Sequence, residues 1–145
     1  MIDEFASGIC ELLSAGPQRV NGLEKLIVGV DVRDLKNKLE RMRRDGVVYR
    51  SGSYFRLTPA PAANLINEIK THPQLIEARI AECLIKHPGS TARDLAFSTG
   101  ELVGKIVQHL KRMNHLDVVY YEQASHNRRY FLRSHFVFVL GIGGR

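Results

Sequence analysis

The sequence of 145 residues contains few of the features that mark several common classes of protein. It has two cysteines, Cys10 and Cys83, and neither belongs to a C-x-x-C pair or a Cys/His cluster, which argues against a zinc site. Both lie in apolar helical patterns and are interpreted as small core thiols, with a disulfide or a ligand role as the alternative. This cysteine usage fits a reducing compartment.

No run of about 18 apolar residues occurs, so no membrane-spanning helix is expected. The N-terminal residues MIDEF are acidic and do not form a hydrophobic export segment. Low-complexity tracts are also missing, and hydrophobic residues make up 44% of the chain, which is enough for a core. We therefore expect a folded, cytoplasmic protein with no membrane partner.

Motifs for catalysis and for cofactors are missing as well. The six histidines show neither H-E-x-x-H nor a comparable metal spacing, and no Ser/His/Asp arrangement can be recognised. The segment GIGGR is not a dinucleotide loop, because no helix can follow it, and there is no P-loop. The sequence predicts a protein that is not an enzyme and needs no cofactor or metal.

What the sequence does contain is an internal repeat. LERMRRDGVVYR begins at Leu39, and LKRMNHLDVVYY begins 71 residues later, at Leu110. The same offset aligns Pro17 with Pro88 and Gly29 with Gly100. Two similar halves indicate two small domains rather than one domain of ordinary size.

Apolar residues at helical spacing predict a first and a third helix in each half. The stripe of the first helix consists of Phe5, Ile9 and Leu13, and of Ile76, Ile80 and Leu84. The stripe of the third helix consists of Val32, Leu35, Leu39 and Met42, and of Val103, Ile106, Leu110 and Met113. A Val-Val-Tyr run follows each third helix, as expected for a β-strand.

A second helix is predicted over Asn21–Val28 in the first half and over Thr91–Ser98 in the second. In the second half, Thr91 and Asp94 form a helix-starting pair. The two repeated glycines then provide a tight turn into the third helix.

Single residues predict where the third helices and the second strands begin. Asp31 and Thr99 are candidate N-caps of the third helices. A polar loop joins the two strands of each half, and the second strand is predicted to begin at Tyr54 or Tyr130. The loop is then five residues longer in the second half. The tyrosines of both hairpins are expected to pack across the strands, with stacking on bases as the alternative.

This order of helix, helix, glycine turn, helix and hairpin resembles the winged helix-turn-helix superfamily of DNA-binding domains, in two copies over roughly residues 4–57 and 75–133. The second copy, PGSTARDLAFSTGELVGKIVQHLKRMNHLDVVYYEQASHNRRYFL, is the closer match, with its L-A second helix, T-G turn and aromatic-closed wing. The first departs in its second helix, NGLEKLIVGV. The resemblance implies a mainly α fold with small β-hairpin wings (α+β), arranged as tandem winged-helix domains.

The predicted organisation is a first domain at 1–58, a linker with a short helix at 59–74, a second domain at 75–133 and an apolar tail at 134–145. The linker helix is predicted over Ala62–Lys70 and is expected to pack between the two domains. The tail, SHFVFVLGIGGR, would be an exposed edge strand if left bare, so we expect the first domain or a second subunit to cover it.

Positive charge collects in the same part of each half. The net charge is +6, and residues 33–56 carry eight Lys/Arg against three Asp/Glu. Residues 101–133 carry six against three, whereas residues 1–32 carry two against five. A basic surface repeated on the third helix and wing fits a polyanionic partner.

The resemblance places the third helix in the major groove, where its outer side chains meet base edges and phosphates. With Val103, Ile106, Val107, Leu110 and Met113 facing inward, the outer set is Glu101, Lys105, Gln108, His109 and Arg112. Thr91, Arg93 and Thr99 lie at helix starts, where hydroxyls and amides commonly hold phosphates. The alternative is an ordinary solvated helix face.

The other candidate DNA contacts lie in the second wing and in the first domain. The segment Glu122–Arg129 is predicted to place His126, Asn127, Arg128 and Arg129 at the hairpin tip, where arginines can enter a minor groove. An ordinary solvated hairpin is the alternative. The face of the first domain's third helix offers Arg33, Lys36, Asn37, Lys38, Arg41, Arg43 and Arg44. This helix suits attraction to the phosphate backbone more than base recognition.

The leading hypothesis is therefore a sequence-specific protein that binds double-stranded DNA, as a small prokaryotic or phage transcription regulator. It would act as a pseudo-symmetric monomer or as a homodimer joined through the apolar tail. The alternative is a tandem winged-helix scaffold for protein–protein interaction in a larger assembly, since fold does not fix function.

Overall fold

The fold is mainly helical, with two small antiparallel hairpins. The structure, a computed structural model, describes residues 4–27 and 29–143. Its elements are α1 Glu4–Ser14, α2 Val20–Leu26, α3 Val32–Arg44, β1 Val48–Ser51, β2 Tyr54–Leu57, α4 Ala60–Thr71, α5 Ile76–Lys86, α6 Ala92–Thr99, α7 Val103–His115, β3 Val119–Ala124, β4 Asn127–Leu132 and α8 Ser134–Gly143. Among the described residues, no helix has the length and apolar character needed to cross a bilayer.

The chain divides into two compact units between Pro59 and Ala60. The first unit contains α1, α2, α3 and the β1–β2 hairpin, and the second contains α4 to α8 with the β3–β4 hairpin. In each unit three helices, α1–α3 or α5–α7, are followed directly by a two-stranded hairpin. This is the element order of a winged helix-turn-helix.

Each unit has its own hydrophobic core, built from the predicted stripes. The core of the first consists of Ala6, Ile9, Leu13, Leu23, Leu35, Leu39, Met42, Val48 and Phe55. The core of the second includes Ile80, Leu84, Leu95, Ile106, Leu110, Met113, Val118, Val119, Tyr130 and Leu132. The helical periods of the sequence therefore predicted most of the buried sides of α1, α3, α5 and α7. Val32 of the predicted α3 stripe is only half-buried, and Val103 of the predicted α7 stripe is 42% exposed.

The 71-residue repeat extends to individual backbone bonds. The Val47 amide donates to the Met42 carbonyl at 3.0 Å, and the Val118 amide donates to the Met113 carbonyl at 2.9 Å. Each bond ends the third helix and directs the chain into its first strand. A residue with positive φ lies at the same place in both units, Gly46 at 82° and Asp117 at 61°.

The hairpins show where the predicted strand alignment was wrong. Phe55 bridges to Gln18 in the first unit, whereas Tyr130, rather than Phe131, makes the matching bridge to Ser90. The second hairpin is therefore longer by four residues and not five. A shift of one residue matters because it moves each side chain to the opposite face of the strand.

The predicted loop of the second hairpin is largely strand. β3 and β4 pair as far as Ala124 and Asn127, which leaves Ser125 and His126 as the turn. Ser125 has a φ of 58°, the kind of conformation that two-residue hairpin turns require. Asn127, Arg128 and Arg129 thus belong to β4, and the prediction that all of them lie at the tip was wrong.

Tyrosine packing follows the prediction in the second hairpin, whereas in the first hairpin Tyr49 and Tyr54 lie across from Arg56 and Ser51. Tyr120 stacks on its cross-strand partner Phe131 with ring centroids 5.3 Å apart, and Tyr121 lies against Tyr130 at 5.8 Å. Cross-strand aromatic pairs of this kind stabilise a two-stranded hairpin.

The two segments outside the repeat are both helices of the second unit. Leu65, Ile66 and Ile69 of α4 are buried in the core of that unit. The predicted helix is thus present, but its apolar face is occupied within the second unit and not between two domains. The helix also begins two residues earlier than predicted.

The apolar tail forms α8 instead of an edge strand. Phe136, Val139 and Leu140 have the i, i+3, i+4 spacing of one helix face, and all three are buried in the core of the second unit. α8 contacts α4 and α5, so this unit itself covers the tail. Neither the first domain nor a second subunit is needed to bury these three side chains. Residues 144–145 of the predicted tail lie outside the described residues.

Helix ends agree with the predictions in part. The Thr91 hydroxyl and the Asp94 carboxylate form a reciprocal capping box at the start of α6, as predicted. Asp31 caps α3 by accepting from the Arg33 amide. Thr99 is not an N-cap, because it is the last residue of α6, while α7 starts at Val103. Val28, the predicted end of α2, lies outside the described residues.

Gly29 and Gly100 have φ values of 80° and 76°, which confirms the predicted glycine turns. Cys10 and Cys83 are free thiols, partly buried against the cores of their units. Burial raises the pKa of both thiols, which favours the protonated form at neutral pH.

Candidate nucleic-acid interface

The outer face of α7 is the centre of the candidate site. The buried stripe of α7 consists of Ile106, Leu110 and Met113. At 100° per residue, Gly104, Gln108 and Lys111 lie on the opposite side, and all three are exposed. Among the described residues, neither the Gln108 amide nor the Lys111 ammonium has a hydrogen-bond or ion-pair partner.

Two of the predicted inward residues are exposed. Val103 and Val107 are 42% and 38% exposed, because they lie on a flank of α7 about 60–100° away from the buried stripe. Lys111 was missed as an outer residue, although its position opposite the stripe follows from the same period. The outer face therefore joins an apolar flank to a polar centre.

The other flank of α7 carries Lys105, His109 and Arg112, and it faces acidic side chains of the same unit. One guanidinium nitrogen of Arg112, Nη1, donates to both carboxylate oxygens of Glu77, at 2.7 and 2.9 Å. The His109 Nδ1 lies 3.8 Å from Glu77, and the Arg112 Nη2 lies 4.0 Å from Glu68. Glu77 is buried in α5, so this cluster fastens the middle of α7 to α5. We call Glu77, His109 and Arg112 the α5–α7 clamp.

A second contact from α5 holds the turn before α7. Arg79 donates to the Thr99 carbonyl and lies 3.5 Å from the Glu101 carboxylate. Glu101 in turn lies 4.0 Å from the Lys105 ammonium. The Thr99 hydroxyl is buried and donates to the Leu95 carbonyl at 2.7 Å. Thr99 and Arg112 thus have partners within the protein, whereas the sequence placed both on the DNA face.

Sequence reasoning missed Glu77 and Arg79. A usable signal existed for Glu77, because it shares the buried side of α5 with Ile80 and Leu84. A carboxylate in an apolar stripe needs a cationic or hydrogen-bonding partner. The sequence does not reveal that this partner is Arg112, 35 residues away.

The groups at the start of α6 that were predicted to hold a phosphate are partly engaged within the protein. The backbone amide and the hydroxyl of Thr91 are both engaged with Asp94 in the capping box. These hydrogen bonds lower the pKa of the Asp94 carboxyl, so a negative charge persists at this helix start. Arg93 is exposed and has no ion-pair partner among the described residues.

The β3–β4 hairpin holds two arginines at defined places. The Arg128 guanidinium lies 4.4 Å above the Tyr121 ring, and Arg129 donates to the Gly89 carbonyl at 3.2 Å. Both residues are exposed, as are His126 in the turn and Asn127 beside it. The arginines are thus ordered by internal contacts and remain open to solvent on one side.

The face of α3 in the first unit is more strongly charged. Arg33, Lys36, Asn37 and Arg41 are exposed, and none of them has a side-chain ion pair within the described part of the chain. Arg44 lies 3.9 Å from Glu40, a weak pair at the surface. This surface therefore keeps most of its positive charge available to a partner.

Metal-binding clusters of three or more histidine, cysteine or acidic residues do not occur over residues 4–27 and 29–143. The site is thus one of cationic, amide and apolar side chains, which suits binding of an anionic polymer.

The structure is similar to two solved structures of DNA-binding proteins. A MepR–DNA complex from S. aureus matches with a TM-score of 0.45 and 14% sequence identity, over 58% of this chain and 72% of that chain. A predicted DNA-binding transcriptional regulator from E. coli matches with a TM-score of 0.45 and 22% identity, over 59% of this chain and 85% of that chain. No protein-family model and no curated protein matches the sequence. Likenesses at this level do not assign the chain to a family.

Proposed function

We propose that this protein consists of two tandem winged-helix domains and binds double-stranded DNA with sequence preference, as a small transcription regulator. The observation that carries the proposal is the outer face of α7, where Gln108 and Lys111 lie opposite the buried stripe without partners among the described residues. A major groove admits one α-helix, and glutamine and lysine are suitable donors for adenine and guanine edges.

The α5–α7 clamp supports this function by fixing the orientation of α7. A helix that contacts bases has to be positioned before binding, because mobile side chains lose entropy on association. Arg112 is therefore proposed as a positioning residue, and Lys105, Gln108 and Lys111 as the residues that contact DNA. His109 belongs to the clamp.

The hairpin of the second unit is proposed to add a contact to the neighbouring groove or backbone. Arg128 and Arg129 are exposed and ordered, and arginine is favoured in narrow minor grooves. Arg128 and Arg129 lie on opposite faces of β4, and His126 and Asn127 lie beside them at the hairpin turn. Arg93 supplies a further cation near the start of α6. The amide and hydroxyl of Thr91 are already hydrogen-bonded to Asp94 there.

The first unit is proposed to bind the phosphate backbone. Arg33, Lys36, Asn37, Arg41 and Arg44 of α3 offer charge with little variety of hydrogen-bonding groups, which fits attraction without base discrimination. Two units on one chain raise each other's effective concentration on a duplex, so neither needs high affinity alone.

A titration of fluorescent duplex DNA, repeated at several salt concentrations, tests the proposal. Gln108→Ala/Lys111→Ala removes an amide and a lysine three residues apart on α7. Asn67→Ala/Lys70→Ala removes the same two groups, at the same spacing, from the exposed side of α4 and is the matched control.

We expect the α7 variant to lose roughly tenfold or more in affinity. The slope of log affinity against log salt should be smaller by about one where Lys111 contacts a phosphate and nearly unchanged where it contacts a base edge. The α4 variant should bind like the parent protein. Equal binding by the parent and both variants would show that α7 is not the DNA face.

The competing function is a protein–protein interaction scaffold. Exposed apolar side chains at the α6–α7 turn favour it, since such groups often mark protein contacts. A scaffold does not need the positive charge on α3, α7 and the second hairpin. Protein that elutes free of nucleic acid, and that does not bind mixed genomic fragments at low salt, would favour the scaffold.

A further inference from the structure

Four large apolar side chains are exposed at one end of the helix-turn-helix of the second unit. Phe97 of α6 is 91% exposed and Leu102, directly before α7, is 79% exposed. Val103 and Val107 follow at 42% and 38%. These residues do not contribute to the core of the unit, and the polar contacts proposed above do not use them.

Val103 and Val107 lie one turn apart on the same flank of α7, so their side chains are neighbours. Gly104 and Gln108 lie directly beside them on the outer face. A Cβ added to Gly104 would meet no atom within 4 Å, and its φ is not one that requires glycine. Glycine is unfavourable inside a helix, so the packing of this protein gives no reason for it. The missing side chain leaves room for another molecule to approach the α7 backbone closely.

We infer that Leu102, Val103 and Val107 contact the 5-methyl groups of thymines in the DNA target. This inference rests on the proposed function, because it assumes that α7 enters a major groove. The thymine methyl is the apolar group that a B-DNA major groove displays, and apolar side chains recognise it by contact. Gln108, on the adjoining face, pairs best with adenine. The valine flank and the amide beside it therefore favour the same A·T base pairs.

Neighbouring charge favours a nucleic-acid occupant over an apolar protein surface. Lys111 continues the outer face one turn after Val107 and Gln108, and it has no partner among the described residues. An apolar protein interface would have to bury this ammonium unpaired, at a cost that a phosphate partner avoids.

The experiment uses the full chain and a duplex selected from random sequence for binding to it. Thymines of the selected site are replaced by deoxyuridine, which removes the methyl groups and keeps every hydrogen-bonding group. We expect affinity to fall about fourfold for each methyl group buried against α7. Uracil placed outside the base pairs that the protein contacts should leave affinity unchanged.

Protein variants then identify the side chains that contact the methyl groups. In Val103→Ala/Val107→Ala the thymine duplex should bind more weakly, and uracil substitution should have little further effect. Phe97→Ala truncates an exposed apolar side chain outside α7 and is the matched control. It should keep the full uracil effect.

The possible outcomes separate this inference from the proposed function. If no duplex is enriched by selection, DNA recognition itself fails. If a duplex is enriched and bound tightly but uracil has no effect, the methyl contact is wrong while DNA binding stands. If the valine variant changes the oligomeric state in light scattering and leaves DNA affinity intact, the apolar flank binds protein, which also overturns the inference.

Discussion

Arg41 and Arg112 occupy the same position of the internal repeat, but the two units use them differently. Arg112 of α7 is held by Glu77 on α5. Ala6 occupies the position of Glu77 in the first unit, and Arg41 is exposed with no ion-pair partner among the described residues. The same arginine is therefore part of a clamp in one unit and a free surface charge in the other.

The outer faces of α3 and α7 also differ in charge at equivalent positions. Arg33 and Lys36 in α3 correspond to Gly104 and Val107 in α7. One face has two cations where the other has a glycine and an exposed valine. A repeated backbone can thus carry two surface chemistries, a cationic one that suits phosphates and a mixed one that suits base edges.

Breaking the α5–α7 clamp should cause the largest loss of stability, and this loss should be confined to the second unit. Arg112→Ala leaves the buried Glu77 carboxylate without the Arg112 Nη1 donor that both of its oxygens accept from, and we expect about 2–4 kcal/mol of lost stability around α7. Arg41→Ala should change stability by less than about 0.5 kcal/mol, since surface substitutions rarely do more. Amide hydrogen exchange of α7 and α3 measures each effect in its own unit. Equal protection of α7 in the parent and in Arg112→Ala would contradict the clamp.

Charge removal from α3 should lower DNA affinity without changing sequence preference. For Arg33→Ala/Lys36→Ala we expect a slope of log affinity against log salt that is smaller by roughly two. Gln108→Ala should instead change preference at one base pair and leave the slope nearly unchanged. Titrations of selected and scrambled duplexes over a range of salt concentrations distinguish the effects of the α3 variant from those of Gln108→Ala. A change in preference from the α3 variant would contradict the assigned roles.

Removing the α6 capping box should have a smaller effect, with a defined pH dependence. Asp94→Ala removes the carboxylate that accepts from the Thr91 backbone amide, and it is expected to destabilise the second unit by about 0.5–1 kcal/mol. Hydrogen bonds from Thr91 lower the pKa of Asp94 in the folded protein. Their contribution is therefore present above the ordinary aspartate pKa and is lost as the pH falls through the lowered value.

Urea unfolding at neutral and acidic pH tests this point. The difference between the parent and Asp94→Ala should be largest at neutral pH and should shrink in acid. Ser53→Ala, an exposed position in the first hairpin turn, is a suitable control. A difference that grows on acidification would contradict the capping account.

Replacing Gly104 on the outer face of α7 should have the smallest effect on stability. It should make the folded protein more stable and its binding to DNA weaker. Gly104→Ala is expected to stabilise α7 by up to about 1 kcal/mol, because alanine favours a helix and the new Cβ meets open space. The same methyl should weaken DNA binding by obstructing close approach. Stability from urea unfolding and affinity from anisotropy measure both. A variant that is more stable and binds as well as the parent would contradict close approach at Gly104.

Much of the fold follows from short-range patterns in the sequence. The buried stripes of α1, α3, α5 and α7 obey the helical period, and the Thr91–Asp94 pair marks a helix start by local bonding alone. α8 was not predicted, because a short apolar run does not distinguish strand from buried helix. The length of the second hairpin was also predicted wrongly, because the two Tyr-Phe pairs look equivalent in the sequence whereas Tyr130 takes the place of Phe55 in the structure.

The candidate site was less accessible to prediction than the fold. The period of α7 correctly placed Gln108 outside, and it also placed Lys111 there once the stripe was known. It could not show that Arg112 has an internal partner, because Glu77 lies on α5, 35 residues away. Side chains that are close only after folding leave no local trace in the sequence.

The most direct test of the proposed DNA face on α7 is an NMR titration of the labelled protein with its selected duplex. We predict that the largest amide shift changes fall on Gly104, Gln108 and Lys111, with small changes at Asn67 and Lys70 on α4. Changes concentrated on α4, or confined to α3 with α7 unaffected, would contradict it.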